Sequence, residues 1–320
     1  MTQHFLLSAA ARTLSLSKVM RMSEDEANAT FQAIRWDDNG GEPYCGKCGC
    51  TAVYTFKARR IFKCKGCDAQ FSVTSGTIFA SRKLAVRDIL AAIAIFTNGA
   101  KGYSALQLSR DLDCQYKTAF VMAHKLREAL GMARDGAKLA GTVEVDGAYF
   151  GGYVKPANEK TNRRDRRLSE NQTGKRQVVV VMRERGGRTL PFVTKAEREG
   201  VALVSANVEA GTVVHADEAS HWDALTAKFA TKRINHSEAY SLDGACTNWA
   251  ESFFSRIRRA EAGIHHRIAG AYLTAYANEM AWREDFRRVS NGGQFVMIVD
   301  AAMSAPVSRQ WKGYWQRTAA

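Results

Sequence analysis

Thr142-Val143-Glu144-Val145-Asp146-Gly147-Ala148-Tyr149-Phe150-Gly151-Gly152 is the stretch on which the reading of the fold turns. Its first five residues alternate, the period of a strand, and they end on a carboxylate. Further on, Val178 to Met182 is an unbroken apolar run, the mark of a strand buried on both faces. Arg188 to Thr194 is expected to pair with it through Gly186-Gly187. Val213 to Asp217 is another strand that ends on a carboxylate, and Trp222 to Phe229 reads as a helix. Asn248 to Ala260 and Ala269 to Phe286 read as long helices. Strands first, helices last and a mixture between make this half an α/β domain within a multidomain α+β chain.

Asp146 and Asp217 are separated by 70 residues, and Glu251 follows after 33 more, on the second turn of its helix. Any one carboxylate alone reads as surface decoration. What singles these out is their order, spacing and neighbours. Phosphoryl transfer with two Mg²⁺ ions needs carboxylates that converge from different elements on oxygen-loving metals. Arg258 follows Glu251 by two helical turns and shares its face, where a cation holds phosphate beside metals. Glu144 and His215 each lie two residues before a carboxylate, on the same strand face. They read as supporting groups, His215 more as a core residue.

The half before Gly141 has a different character. Ser23-Glu24-Asp25-Glu26 is a capping box, and Ala27, Phe31 and Ile34 follow at helical spacing. After the break at Asp37 to Gly41 come Cys45-x2-Cys48 and Cys64-x2-Cys67, 15 residues apart. Two such knuckles place four thiolates around one structural Zn²⁺, with a hairpin between them. Gly46 and Gly66 are expected to ease the knuckle turns, and Cys50 is a weaker alternative ligand. The ribbon is basic and aromatic. Its Lys and Arg residues suit phosphates, while Phe56, Phe62 and Phe71 read as its small core.

Leu84 to Leu130 is helical in pattern, broken at Asn98-Gly99 and near Asp113. Ser104 to Gln107 reads as a capping box opening one helix, Asp113-Cys114 as a turn, and Tyr116 to Leu130 as the next helix. Leu106, Leu112, Phe120, Val121 and Leu126 are expected to supply the contacts between them. This is the spacing of a helix-turn-helix, whose second helix enters the major groove. Gln115, Lys117, Thr118 and His124 are its candidate DNA contacts.

Lys and Arg number 46 against 32 Asp and Glu, a net charge of +14, which points to a polyanionic partner. The longest apolar stretch, Ile89 to Phe96, is eight residues, too short for a membrane span. Phe5 to Ala11 has a little of a signal sequence about it, but no cation precedes it and no cleavage site follows. The expectation is a cytoplasmic protein, whose clustered cysteines hold metal and not disulfides. Between Gly151 and Arg188 eleven Lys or Arg face four acids, densest at Arg163-Arg164-Asp165-Arg166-Arg167. A solvated loop is the default for such a run. Beside a metal site that must hold DNA, it reads as a phosphate-tracking loop.

Together these stretches resemble the ISXO-like DDE transposases of bacterial insertion sequences. The resemblance rests on Ala33 to Trp36, Gln70 to Thr77, Leu112 to His124, Val145 to Gly152, Thr247 to Phe254 and Tyr276 to Arg283. It covers about residues 15–290. It implies an RNase H-like catalytic fold in which Asp146, Asp217 and Glu251 bind two Mg²⁺ or Mn²⁺ ions. Members of that family vary at the third position, some using Asn, so Asn248 is a rival or accessory group. Three residues depart from the pattern: Arg258 stands where Lys is more usual, Asp285 where Asn is common, and Gln115 replaces a Ser helix cap, at about 1 kcal/mol.

The layout expected is an N-terminal helical segment (1–36), zinc ribbon (37–79), helix-turn-helix (80–138), catalytic domain (139–290) and tail (291–320). Phe295, Trp311, Tyr314 and Trp315 in the tail either pack on the protein or mediate multimers. The implied function is a DNA transposase that binds element ends and performs cleavage and strand transfer. Double-stranded DNA, at element ends and target, is its partner, and Arg256, Arg258, Arg259 and Arg267 extend the DNA surface. A homo-oligomer on DNA, associated with the nucleoid and not with a membrane, is expected. The competing readings are a non-catalytic DNA-binding regulator and a ribonuclease H-type nuclease.

Overall fold

Ser23 begins the helix Glu24–Arg35 by the reciprocal pair its sequence predicts: its Oγ accepts from the Glu26 amide and the Glu26 carboxylate accepts from the Ser23 amide. In the computed structural model, which describes residues 4–152, 155–165, 168–171, 173–235, 241 and 244–316, the chain forms two units. One comprises residues 1–133 and 286–320, the other 134–285. In chain order the elements are α1 (Leu16–Arg21), α2 (Glu24–Arg35), β1 (Val53–Phe56), β2 (Ile61–Cys64), β3 (Gln70–Phe71), α3 (Val86–Asn98), α4 (Ala105–Asp111) and α5 (Tyr116–Met132). Then follow β4 (Thr142–Phe150), β5 (Gln177–Glu184), β6 (Thr189–Thr194), α6 (Gly200–Asn207), β7 (Val213–Asp217), β8 (Ala230–Ile234), α7 (Asn248–Ala260), α8 (Leu273–Asp285) and α9 (Asn291–Ser304).

In the first unit, β1, β2 and β3 form an antiparallel sheet in that order. Phe62 and Phe71 pack on Trp36, with ring centroids 5.7 and 6.2 Å from it. Phe56 does not join this core; it is 37% exposed, because it occupies the opposite face of β1. Helix α3 is apolar on nearly every side and is buried accordingly. Its own N-cap, Ala85, offers no side-chain acceptor. The carboxylate of Glu24 on α2 takes that place and accepts from the Val86 and Arg87 amides at 2.8 and 3.1 Å.

Helices α4 and α5 form the predicted pair. Ser104 Oγ accepts from the Gln107 amide, and Asp113 turns the chain at a left-handed φ of 46°. Their packing differs from expectation: Leu106 is 51% exposed and Leu108 takes the buried place, while Phe120 packs on Trp311, Tyr314 and Trp315 of the tail. Gln115 stands at the N-cap of α5 without a side-chain capping bond. The segment after Asp285 is part of this unit. Helix α9 packs on α2, α3 and α5, and Trp311 stacks on His124 at 4.4 Å. His124 is therefore a buried residue and not a surface contact.

The second unit is a five-stranded sheet of order β6-β5-β4-β7-β8. Strands β4, β5 and β6 form an antiparallel meander, and β7 and β8 run parallel to β4. Alternation along β5 explains its unbroken apolar run. Val179 and Val181 pack against α7 and α8, while Val178, Val180 and Met182 pack on the other face with Val204 of α6 and Trp222. Each such side chain contributes roughly 1.5–3 kcal/mol. On β4 the same alternation sends Val143 and Val145 to the α6 side, and Ala148 and Phe150 to the α7 side. Asp146 shares the second parity and so faces α7.

The helix expected over Trp222 to Phe229 is a 3-10 segment, Ser220–Ala227. Trp222 within it is fully buried against Gly200 and Val180. Among the described residues no helix is long and apolar enough to cross a membrane.

Candidate active site and zinc ribbon

Strands β4 and β7 are neighbours, and their pairing ends at Glu144 opposite His215. Two residues on, Asp146 and Asp217 carry their carboxylates to the same end of the sheet. Parallel strands that separate at their C-terminal ends open a crevice there, a common position for a binding site in α/β sheets. A third carboxylate enters it from an unforeseen place. Glu197 lies in the 3-10 turn Glu197–Glu199 after β6. One oxygen from each of Asp146, Glu197 and Asp217 lies within 4.8 Å of the others.

Gly147 makes this approach possible. A Cβ there would stand 2.5 Å from the Glu197 carboxylate, which would have to swing away from Asp146 to make room. The Gly147 amide donates to Asp146 Oδ1 at 2.7 Å. Burial, followed by the charges of Asp217, Glu197 and Glu251, pushes Asp146 up to about 7 against that hydrogen bond. Burial and then Asp217 likewise raise Glu197 to about 7. Carboxylates so close repel one another, and a divalent cation reverses that balance. Oxygens bound to one Mg²⁺ lie up to about 4 Å apart, given bonds of about 2.1 Å. The three residues fit such an ion after small adjustments.

Glu251 enters from α7. With Asp146, Phe254, Ser255, Arg258 and Arg259 it lines an open cleft of about 560 Å³. Arg258 lies on the Glu251 face of α7, as its spacing implied, with its guanidinium 5.9 Å from the Phe150 ring and 6.0 Å from the Phe254 ring. Asn248 is the exposed first residue of α7.

The helix that carries Glu251 is held from below. Glu144, fully buried, accepts from the Trp249 amide at 2.7 Å and the Ala250 amide at 3.3 Å. It is also paired with Arg185 at 2.9 Å. This supplies the N-cap acceptor that α7 lacks locally, since Thr247 makes no side-chain capping bond. His215 Nδ1 sits 3.2 Å from Arg185 and accepts from the Cys246 amide. Arg183 adds a bond to the Trp249 carbonyl and an ion pair with buried Glu284, which also pairs with Arg256. Arg256 is thereby committed to structure. Asp285 pairs with Arg134 and accepts from the Thr189 amide.

Glu144→Gln removes the charge from these bonds and turns its NH2 toward one of its donors, Arg185 or the α7 amides. The expected cost is about 2–3 kcal/mol, read as a lower denaturant midpoint at unchanged slope. No change in midpoint would contradict the clamp.

In the other unit, the four thiols of Cys45, Cys48, Cys64 and Cys67 lie within 4.8 Å of one another. The Cys45–Cys67 and Cys48–Cys64 sulfur separations are 3.6 and 3.5 Å. Tetrahedral Zn²⁺ with bonds of about 2.3 Å needs edges of about 3.8 Å, so the set fits zinc. Cys50 lies outside the set and faces the Ala52 carbonyl. The left-handed residues of the knuckles are Gly49 and Asp68, at φ 74° and 57°, and not Gly46 and Gly66 as expected.

The remaining predicted contacts are spread over both units. Gln115 and Lys117 are exposed and Thr118 half-buried at the start of α5, with Lys117 Nζ 5.2 Å from the Trp315 ring. Arg163 and Arg164 are exposed, and Arg163 bonds the Ala157 and Asn158 carbonyls. Arg166 and Arg167 lie outside the described residues.

Residues 138–285, the second unit almost entire, match the family described as ISXO2-like transposase domain. Residues 22–70 match the transposase zinc-ribbon domain. The chain carries a transposase domain behind a transposase zinc ribbon. A relative from Halobacterium salinarum, described as an uncharacterized protein in the transposable element ISH50, is 26% identical over 295 residues. That match spans 88% of this chain and 98% of the relative. The zinc fit and the transposase domain thus fall where the cysteine spacing and the Asp146 strand placed them.

Proposed function

We propose that this transposase binds the ends of an insertion sequence and catalyses metal-dependent DNA cleavage and strand transfer. The observation that carries the reading is the meeting of Asp146 and Asp217 from adjacent strands, with Glu251 lining a cleft beside Asp146, inside a transposase domain. The sheet order, an antiparallel meander followed by two parallel strands, supports an RNase H-like fold for the catalytic unit. A non-catalytic regulator has no use for carboxylates held together against their own repulsion.

Asp146, Asp217 and Glu251 would hold two Mg²⁺ or Mn²⁺ ions, and Glu197 is close enough to share in that task. Bound there, such ions activate a water or a 3′-hydroxyl and stabilise the leaving oxygen. The chain's own part is to place the carboxylates, to keep α7 in register through Glu144, and to grip the phosphate with Arg258 and Arg259. No protein side chain need form a covalent bond to DNA. Gln115, Lys117 and Thr118 at the start of α5 are assigned to the element ends, in the manner of a recognition helix. Arg163, Arg164, Arg166 and Arg167 are assigned to the DNA backbone. The protein would act as a homo-oligomer on DNA in the cytoplasm.

Glu251→Gln and Asn248→Ala divide the roles at the third position. With Glu251 as ligand, Glu251→Gln should abolish Mg²⁺-dependent strand cleavage, and Asn248→Ala should leave it impaired but measurable. The reverse ranking in a cleavage assay would move the ligand role to Asn248.

A further inference from the structure

The ribbon's hairpin has two unlike faces. Strand register places Val53 opposite Cys64 and Thr55 opposite Phe62, on the face that meets the Trp36 core. Tyr54 opposite Lys63, and Phe56 opposite Ile61, lie on the other face. That face contains two partly exposed aromatic rings: Tyr54 is 54% exposed and Phe56 37%. Each ring has a cation over it, Lys65 Nζ at 4.7 Å from Tyr54 and the Arg59 guanidinium at 5.0 Å from Phe56. Leaving two aromatics in water forgoes the burial that Phe62 and Phe71 obtain, so core packing does not account for them.

We infer that this outer face of the β1–β2 hairpin is a stacking platform for unpaired nucleotides of single-stranded DNA. Three observations select that ligand. First, Tyr54 and Phe56 are two residues apart on one strand, so their rings rise about 7 Å apart. That is twice the roughly 3.4 Å step per nucleotide of a duplex strand, and suits bases drawn apart. Second, aromatic faces meet bases only when those bases have left the duplex stack, and stacking is indifferent to base identity. Third, Thr51 to Cys67 contains five Lys or Arg and no Asp or Glu. Lys63 and Arg60 are paired with Asp68 and Asp25, which leaves Lys57, and Arg59 and Lys65 over the rings, to meet phosphates. A protein surface complementary to this face would have to be strongly acidic, whereas a nucleic acid strand brings both the anions and the flat rings.

The inference rests on the DNA reading proposed above and adds to it a strand-specific contact outside α5 and the catalytic cleft. The test uses the full-length zinc-loaded chain without added Mg²⁺, a fluorescein-labelled oligo-dT and a blunt random duplex of equal length. Tyr54→Ala and Phe56→Ala should each weaken oligo-dT binding about tenfold, within the range found for loss of one stacked base. The double variant should lose about a hundredfold. Blunt-duplex affinity should change less than about twofold, zinc content should not change, and Phe56→Trp should bind oligo-dT as the wild type does. Unchanged oligo-dT affinity in the double variant would overturn the inference. So would an equal loss for both DNAs, or a change confined to self-association, which would mark a protein contact. Failure of the DNA reading looks different, because the wild type would then bind neither DNA.

Discussion

Cys64→Ser should release the zinc and unfold the ribbon. Each thiolate is one of four ligands in a module whose core is little more than Trp36, Phe62 and Phe71. For such a module metal binding is much of the folding free energy, about 10 kcal/mol or more in small zinc domains. Metal analysis should find one zinc per wild-type chain and none in the variant, and proteolysis should cut the variant between residues 45 and 70. Cys50→Ser should keep its zinc, because that thiol lies outside the set. A zinc-free Cys64→Ser protein with a protease-resistant ribbon would show that the cysteines are core residues.

The second large effect is expected at Asp146, where function and stability oppose each other. In the absence of divalent metal its carboxyl titrates near 7 in the fold, against an ordinary value near 3.8. Between about pH 4 and 7 the folded state therefore binds more protons than the unfolded state, and stability falls as pH rises. The loss is on the order of 2–4 kcal/mol and is complete above pH 7. Asp146→Asn removes it. Without added Mg²⁺ at pH 8 the variant should unfold at a higher temperature than the wild type, and at pH 4 the difference should vanish. Mg²⁺ should raise the wild-type transition at pH 8 and leave the variant's nearly unmoved. Cleavage should fall at least about a thousandfold, since metal stabilisation of the transition state is worth several kcal/mol. A variant less stable than the wild type at pH 8 would show that Asp146 is favourably placed as an anion without metal.

What could be read from the sequence follows the range of the interactions. The zinc ligands were legible because both knuckles and the hairpin between them are local. Asp146 and Asp217 were legible because each follows a plain apolar alternation, and their meeting needs only that β4 and β7 be neighbours; Asp217 ends β7 as expected, whereas β4 runs on past Asp146 to Phe150 because it stays paired with β5. Glu197 was not, because Glu197-Arg198-Glu199 looks like any solvated turn. The one available signal was Gly147, a glycine inside a strand, which marks a close approach without naming what approaches. Helix starts divided in the same way. Ser23 and Ser104 cap their own helices, whereas α3 and α7 borrow Glu24 and Glu144 from distant elements. Strand β8, whose Ala230–Ile234 alternates weakly, and α9 beyond the expected domain boundary are set by tertiary packing that no local pattern reports. Phe56 departs from the rule that aromatic residues in a small ribbon are core, because it lies on the outer face of β1.

We propose that Asp146 and Asp217 act together in joining DNA strands. The most direct test is a strand-transfer assay in which a labelled duplex of the element end, already bearing its free 3′-hydroxyl, is incubated with target plasmid and Mg²⁺. The wild type should join the two. Asp146→Asn and Asp217→Asn should each bind the element end as the wild type does and yield no joined product. Joining by either variant at the wild-type rate would contradict the account and leave a DNA-binding regulator as the better description.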